Sequence, residues 1–299
     1  MIIKSKGKNN RSKKALNIGF ILVVFIILIS VINALRSSLF FQTKDRINLV
    51  FYQKIPVLYS LGLVDNVNYS IVFYPDLQML VPGGYGKYRV GAFGKLVSLE
   101  KDPEIFKRTF SLATSSFVNF YFYPKSPDIY FGKGSENGLK LPTLSQIFLE
   151  NSNVNFFDRV YIFLLFWGKT TGSFQIINQL PIVNGEQFDA TEFANRYTGY
   201  FYRRTYRTES QNVQILYTND YNTAESLSNI LEGNGIRVGD VSQQDSGSSG
   251  CEVLENSQNF SKTASDLNRF FDCPLKPGDT GAYDIILKLG SLEKTWKLQ

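Results

Sequence analysis

Apolar residues follow three different rhythms along this chain. From Leu16 to Leu35 the run LNIGFILVVFIILISVINAL carries no charge at all. At about 1.5 Å of rise per residue, a helix of that length spans roughly 30 Å, the thickness of a bilayer's hydrocarbon core. The pattern predicts a transmembrane helix over 16–35. A cleaved signal peptide is the competing reading. The run is longer than a typical signal core, and Ile32-Asn33-Ala34 is a poor small-x-small cleavage site.

From Arg46 short β-branched and aromatic runs alternate with turns. INLVFY (47–52), IPVLYSLGLV (55–64) and NYSIVFYP (68–75) read as strands, with DNVN (65–68) as a hairpin turn. LQMLVP continues as a further strand that Gly83, Gly84 and Gly86 end. Asp102-Pro103-Glu104 is a helix start, combining a capping carboxylate, proline in the first turn and an acid near the positive end of the dipole. Ile105, Phe106, Thr109, Phe110, Ala113 and Phe117 then keep helical spacing, which predicts one face packed on a sheet. VNFYFYP (118–124) reads as a strand, and LPTLSQIFLE and NFFDRVYIFLLFW (155–167) as helices with wide apolar faces. The aromatic stripe of the latter is read as core, with lipid contact as the alternative should it be exposed.

The third rhythm begins after the basic, aromatic stretch YTGYFYRRTYR (197–207), read as a solvated edge strand with an anionic-polymer contact as the alternative. Polar RTESQN (207–212) marks a boundary. Beyond it, NVQILYTND, IRVGDV, CEVLEN (251–256) and AYDIILKLG (282–290) read as strands. Two helices lie among them. One is marked by Ala224, Leu227, Ile230 and Leu231 and ended by Gly233 and Gly235; the other is marked by Ala264, Leu267, Phe270 and Phe271. The alternation predicts a small α/β layer structure with a largely parallel sheet.

Charge sharpens the topology. Residues 1–35 hold Lys4, Lys6, Lys8, Arg11, Lys13 and Lys14 and no acid, and the remainder holds 26 cations and 26 acids. A basic segment before an apolar span stays in the cytoplasm, so residues 36–299 are expected outside. The neutral remainder argues against a nucleic-acid partner, whose recognition needs a basic face on the domain itself. The chain has no histidine and two cysteines, which excludes serine–histidine and cysteine–histidine mechanisms and a cysteine zinc site. An enzyme here would depend on carboxylates, arginine, lysine, tyrosine or a hard metal ion.

Candidate chemistry concentrates in YPDLQMLVPGGYGKYRV (74–90), where Asp76, a glycine turn, Lys87 and Arg89 fall close together. Cys251 and Cys273 flank the second helix of the last segment, and outside the cytoplasm they are disulfide candidates; two buried thiols are the alternative.

The succession RINLVFY, two paired strands, YPDLQMLVPGGYGKYRVGAF, a helix and a strand resembles the LytR–CpsA–Psr family over about residues 46–195, most clearly over 46–123. Members are membrane-anchored bacterial envelope proteins, and active members transfer a glycopolymer from a polyprenyl pyrophosphate carrier to peptidoglycan. Residues 210–290 are similar to the LytR C-terminal domain. The apolar and charge patterns together with the resemblance imply an α/β fold class: a basic cytoplasmic tail (1–15), one transmembrane helix (16–35), a degenerate domain similar to that family's (45–206) and a small C-terminal α/β sandwich (210–292).

The departures lie where the family's chemistry sits. The loop motif proline–arginine–aspartate reads Pro75-Asp76 here, without the arginine. Gln53, Lys54, Ile55 and Pro56 stand where the family places metal-holding acids, and Arg159 is the one arginine between Arg108 and Arg196. Losing one charge-stabilising partner costs about 3 to 4 kcal/mol of barrier. The expectation is therefore a non-catalytic envelope protein without cofactor, bound to the membrane and to peptidoglycan, an anionic wall polymer or an envelope protein. The alternative is an active, magnesium-dependent phosphotransferase built on Asp76, Lys87 and Arg89.

Overall fold

The computed structural model describes residues 25, 29–30, 32, 38–42, 44–132, 138–244 and 250–298. The predicted tail 1–15 lies outside them, and so does the predicted span 16–35 apart from residues 25, 29, 30 and 32, which are helical. No helix among the described residues is long and apolar enough to cross a membrane. The chain divides into two compact units, residues 1–43 with 155–165, and residues 44–154 with 166–299. The described residues form a mixed α/β fold with three sheets.

In the larger unit the first sheet is built from β1 (Arg46–Phe51), β2 (Val57–Gly62), β3 (Asn68–Val72), β6 (Val118–Tyr123), β7 (Asn151–Ser152) and β8 (Gln175–Ile177), in the order β7-β6-β1-β2-β3-β8. β1 is antiparallel to β2 and parallel to β6, and every one of its residues is buried. A strand buried on both faces needs cover on both. On one face α2 (Glu104–Thr114), which follows α1 (Phe93–Glu100), inserts Ile105, Phe106, Phe110 and Ala113 against Val50, Tyr52 and Phe73. On the other, Phe51 stacks on Phe122 at 4.5 Å, and Tyr59 meets Phe166 at 5.2 Å and Phe174 at 5.4 Å. Each fully buried phenylalanine contributes about 2 to 3 kcal/mol of apolar transfer.

A second sheet, in the order β5-β4-β10-β9, carries the hairpin of β4 (Gln78–Val81) and β5 (Gly86–Arg89) beside β10 (Gln187–Phe188) and β9 (Ile182–Val183). The third, in the order β12-β11-β15-β13-β14, holds β11 (Asn212–Tyr217), β12 (Arg237–Gln243), β13 (Glu252–Glu255), β14 (Leu275–Pro277) and β15 (Ile285–Lys288). Three of its four pairings are parallel; only β13 with β15 is antiparallel. Its apolar core takes the buried faces of α7 (Tyr221–Gly233) and α8 (Lys262–Phe271). Cys251 and Cys273 are joined in a disulfide with 5.3 Å between Cα atoms, tying the starts of the neighbouring strands β13 and β14.

Two local readings change. Phe117 does not extend the buried face of α2. The helix stops at Thr114, Ser115 takes a left-handed φ of 43°, and Phe117 turns into the core of the third sheet, 4.3 Å from Phe270 and 6.3 Å from Tyr206. YTGYFYRRTYR is no edge strand either. It forms a turn after α5 (Ala190–Arg196) and then enters α6 (Arg204–Glu209), and Arg203 and Tyr206 are buried rather than solvated. Both residues find partners in the α8 region, and those partners are invisible to local periodicity.

The smaller unit contributes α4 (Phe156–Phe166) up to Leu165; α3 (Leu144–Leu149) precedes it in the larger unit. The buried Asp158 carboxylate accepts from Ser38 Oγ and Leu39 N–H, both at 2.7 Å, and from Asn155 Nδ2 at 2.8 Å. Phe40 meets Tyr161 edge-on at 5.0 Å.

Candidate functional site: a cleft between the sheets

The hairpin singled out by sequence is brought together only in part. Asp76 Oδ1 lies 3.8 Å from Arg89, and its Oδ2 accepts from Gly132 N–H at 3.2 Å. The Arg89 guanidinium sits over the Phe131 ring at 4.9 Å. Lys87, two residues along β5, instead donates to Gln187 Oε1 at 2.9 Å. The amides of Gly83 and Gly84, the natural cradle for a phosphate oxygen, donate to the Lys297 carbonyl at 2.9 and 3.1 Å. Lys87 and the two glycine amides are thus engaged within the protein, while the Arg89 side chain stays half-exposed.

The same holds at the turn between β11 and α7. Backbone N–H groups of Thr218, Asn219 and Asp220 converge on the buried Glu293 carboxylate, at 2.9 Å for Asn219 and 3.2 Å for Asp220. A turn able to hold an anion holds one of the protein's own. Where the resemblance places a divalent cation, distant Glu150 is the carboxylate present, accepting from Gln53 Nε2 at 2.6 to 2.7 Å. No group of three or more metal-ligating acids, cysteines or histidines occurs among the described residues.

Charges far apart in sequence gather instead where the first and third sheets meet. Asp266 of α8 accepts from Tyr206 Oη at 2.9 Å and lies 3.8 to 3.9 Å from Lys44, Arg203 and Arg269. Arg203 donates to Tyr206 Oη at 3.0 Å and to Asn119 Oδ1 at 2.8 Å. Burial, opposed by Asp266 and reinforced by Arg203, Arg269 and Lys262, lowers the Lys44 ammonium to about 8. Burial and the Asp266 charge push the Tyr206 phenol well above its ordinary range. The cluster joins the two parts of the unit; Lys44, Arg203 and Asp266 are buried in it, and Arg269 reaches it from the exposed side.

Beside it opens a cleft of about 490 Å³. One wall is α5 and the turn after it: Asp189 caps the helix by accepting from Glu192 N–H at 2.9 Å, and Asn195, Tyr197, Thr198 and Tyr202 face the opening. The other wall is the last turn of α7 with Asn229 and Glu232, then Gly235 and Arg237. The floor is Ser115 and the end of α2. Arg207 lies over the Tyr202 ring at 5.0 Å, and Tyr197 holds its place by donating to the Gln179 carbonyl at 3.0 Å. Burial raises the Glu232 carboxyl above its usual range. Tyrosine faces beside amides, hydroxyls, two arginines and one acid suit a hydroxyl-rich, weakly anionic ligand better than a purely apolar one.

Sequence reasoning did not find this cleft. The one signal for it was YTGYFYRRTYR, which supplies Tyr197, Thr198, Tyr202 and Arg207. No family model matches this chain, nor does any curated protein or any solved structure.

Proposed function

We propose that this is a membrane-anchored, extracytoplasmic bacterial envelope protein of the LytR–CpsA–Psr type, with a LytR C-terminal-like second part, that binds a cell-wall glycan or anionic wall polymer and performs no transfer chemistry. The anchor is the apolar run 16–35, and the basic tail 1–15 keeps the N-terminus inside. The observation that carries the binding reading is the cleft in which Tyr197, Tyr202, Asn195, Asn229, Arg207 and Arg237 converge. The observation against transfer is that the hairpin's glycine amides and Lys87 are already engaged by Lys297 and Gln187. Transfer from a pyrophosphate needs fixed cations, and usually a metal, at the leaving group.

The second reading, an active magnesium-dependent phosphotransferase, draws on the approach of Asp76 and Arg89 alone. One preparation tests both. Soluble peptidoglycan fragments and an anionic wall polymer, titrated calorimetrically into the full chain in micelles, should bind saturably. Asn229→Ala and Arg237→Ala should each weaken the affinity by about tenfold, or roughly 1.4 kcal/mol. Identical binding by both variants removes the cleft from the mechanism. Turnover of a polyprenyl pyrophosphate-linked glycan with magnesium, lost in Asp76→Ala, would establish the enzyme instead.

A further inference from the structure

The junction around Asp266 carries more positive charge than its own acids balance. A cavity of about 60 Å³ lies within it, lined among others by Lys44, Lys107, Arg203, Asp266, Arg269 and Phe270. Four cations thus share it with one carboxylate. Lys107 has a second acid, Glu104, at 3.2 Å, and its Nζ also lies over the Phe270 ring at 4.9 Å. Lys44, Arg203 and Arg269 have only Asp266 among the described residues, at 3.8 to 3.9 Å. Direct charge-assisted N–H···O bonds close to about 2.7–2.9 Å, so this carboxylate is shared by three cations and hydrogen-bonded by none of them.

The donors of the cavity are under-used. The Lys44 side chain is 9% exposed, and its ammonium donates no hydrogen bond to a described residue. Arg203 is buried; its two terminal nitrogens donate to the neutral oxygens of Tyr206 and Asn119, and its Nε is buried without an acceptor. A buried charge short of acceptors is costly. The lowering of the Lys44 ammonium by burial, which Asp266 only partly offsets, has the same meaning. Water would satisfy the donors and leave the excess of charge in place.

Size and charge together describe the missing partner. One water needs roughly 10–15 Å³ of such space, so the cavity takes a compact group of about five heavy atoms and no sugar ring. Asp266 and Glu104 offset two of the four cations. A phosphoryl group brings about −1.5 to −2 of charge at neutral pH and three strong acceptor oxygens. Arg269, with its side chain 56% exposed, gives the cavity a side that solutes reach. We propose that this cavity binds one phosphoryl oxyanion through Lys44, Arg203 and Arg269, with Lys107 adding its charge. The site shares no lining residue with the cleft, and the inference does not depend on glycan binding there. Free phosphate and the phosphate of an anionic polymer offer the same chemistry.

The test is the thermal midpoint of the full chain in micelles at neutral pH, titrated with inorganic phosphate while sodium chloride is lowered to hold ionic strength constant. The expected result is a midpoint that rises and saturates, because a ligand of the folded state alone stabilises it. Lys44→Met and Arg269→Ala should each raise the half-saturating phosphate concentration by at least about tenfold. The Arg269 side chain is largely exposed, so its variant keeps the fold even where Lys44→Met does not. Arg237→Ala, which weakens glycan binding in the cleft, should leave the phosphate response whole. No response at constant ionic strength overturns the inference, and so does a response that either junction variant keeps unchanged. A response lost in Arg237→Ala would place the anion in the cleft and overturn it as well. A chain that responds to phosphate but binds no glycan upholds this site while the cleft reading falls. Poly(glycerol phosphate) that reproduces the response, and loses it in Arg269→Ala, identifies a polymer as the source; a response to inorganic phosphate alone identifies the free ion.

Discussion

The hairpin at residues 74–90 and the junction between the first and third sheets contrast in how they use charge. The hairpin has its charges close in sequence, on a sheet edge, where Asp76 and Lys87 bond to neighbours and Arg89 stays half-exposed. The junction draws Lys44, Arg203 and Asp266 from distant segments into a buried cluster, with Arg269 at its exposed rim. Proximity along the chain marks out a turn; convergence across the fold marks out what holds the parts together and frames a cleft. Interactions between exposed charges are worth little, whereas a buried group left without its partner is costly.

Breaking the junction should have the largest effect. A Cβ on Gly233 would lie 1.8 Å from the Ser115 carbonyl oxygen, a backbone atom that cannot step aside. The next residue, Asn234, is fully buried; its Oδ1 accepts from Phe117 N–H at 3.1 Å and its carbonyl accepts from Arg203 N–H at 2.9 Å. Gly233→Ala is expected to cost at least about 3 kcal/mol, read as a fall in the thermal midpoint. A midpoint unchanged within error would mean that the two parts are not locked at this point.

Lys44 tests the electrostatics of the same junction. Its proton is held with a pKa of about 8 in the folded protein, against 10.5 when free. Between those values the unfolded chain binds the proton and the folded chain does not, so stability rises with pH across that window. The rise should amount to roughly 2 kcal/mol after allowance for residual solvent. Buried Tyr52, Tyr59, Tyr121 and Tyr206, all pushed upward by desolvation, oppose the trend above pH 10 in wild type and variant alike. The difference between wild type and Lys44→Met in denaturant titrations from pH 7 to 10.5 therefore isolates the lysine. Parallel curves would show that Lys44 is solvated.

The smallest effect belongs to the hairpin. Asp76→Ala removes a 3.8 Å ion pair and one 3.2 Å hydrogen bond at a half-exposed edge. Stability should change by less than about 1 kcal/mol, and glycan binding in the cleft should not change at all. A large loss of either would raise the hairpin to the level of the junction.

The sequence by itself determined the local elements. Alternating β-branched and aromatic runs specified β1, β2, β3, β6 and β11, because side-chain direction in a strand depends only on position. Apolar spacing specified α2, α7 and α8, because a helix face is set by its own period. Gly233 was legible as a helix end, but its close approach to Ser115 was not. Phe117 obeyed the spacing of α2 and yet left it for a different core, since periodicity records which residues are apolar and not which surface receives them. Only the tertiary structure decided that Gly83 and Gly84 are filled by Lys297, that Glu293 occupies the β11–α7 turn, and that Tyr197, Tyr202 and Arg237 face one opening. Those pairings join segments tens to hundreds of residues apart. They follow from how whole layers pack and from the need of each buried polar group for a partner, which no window of sequence contains.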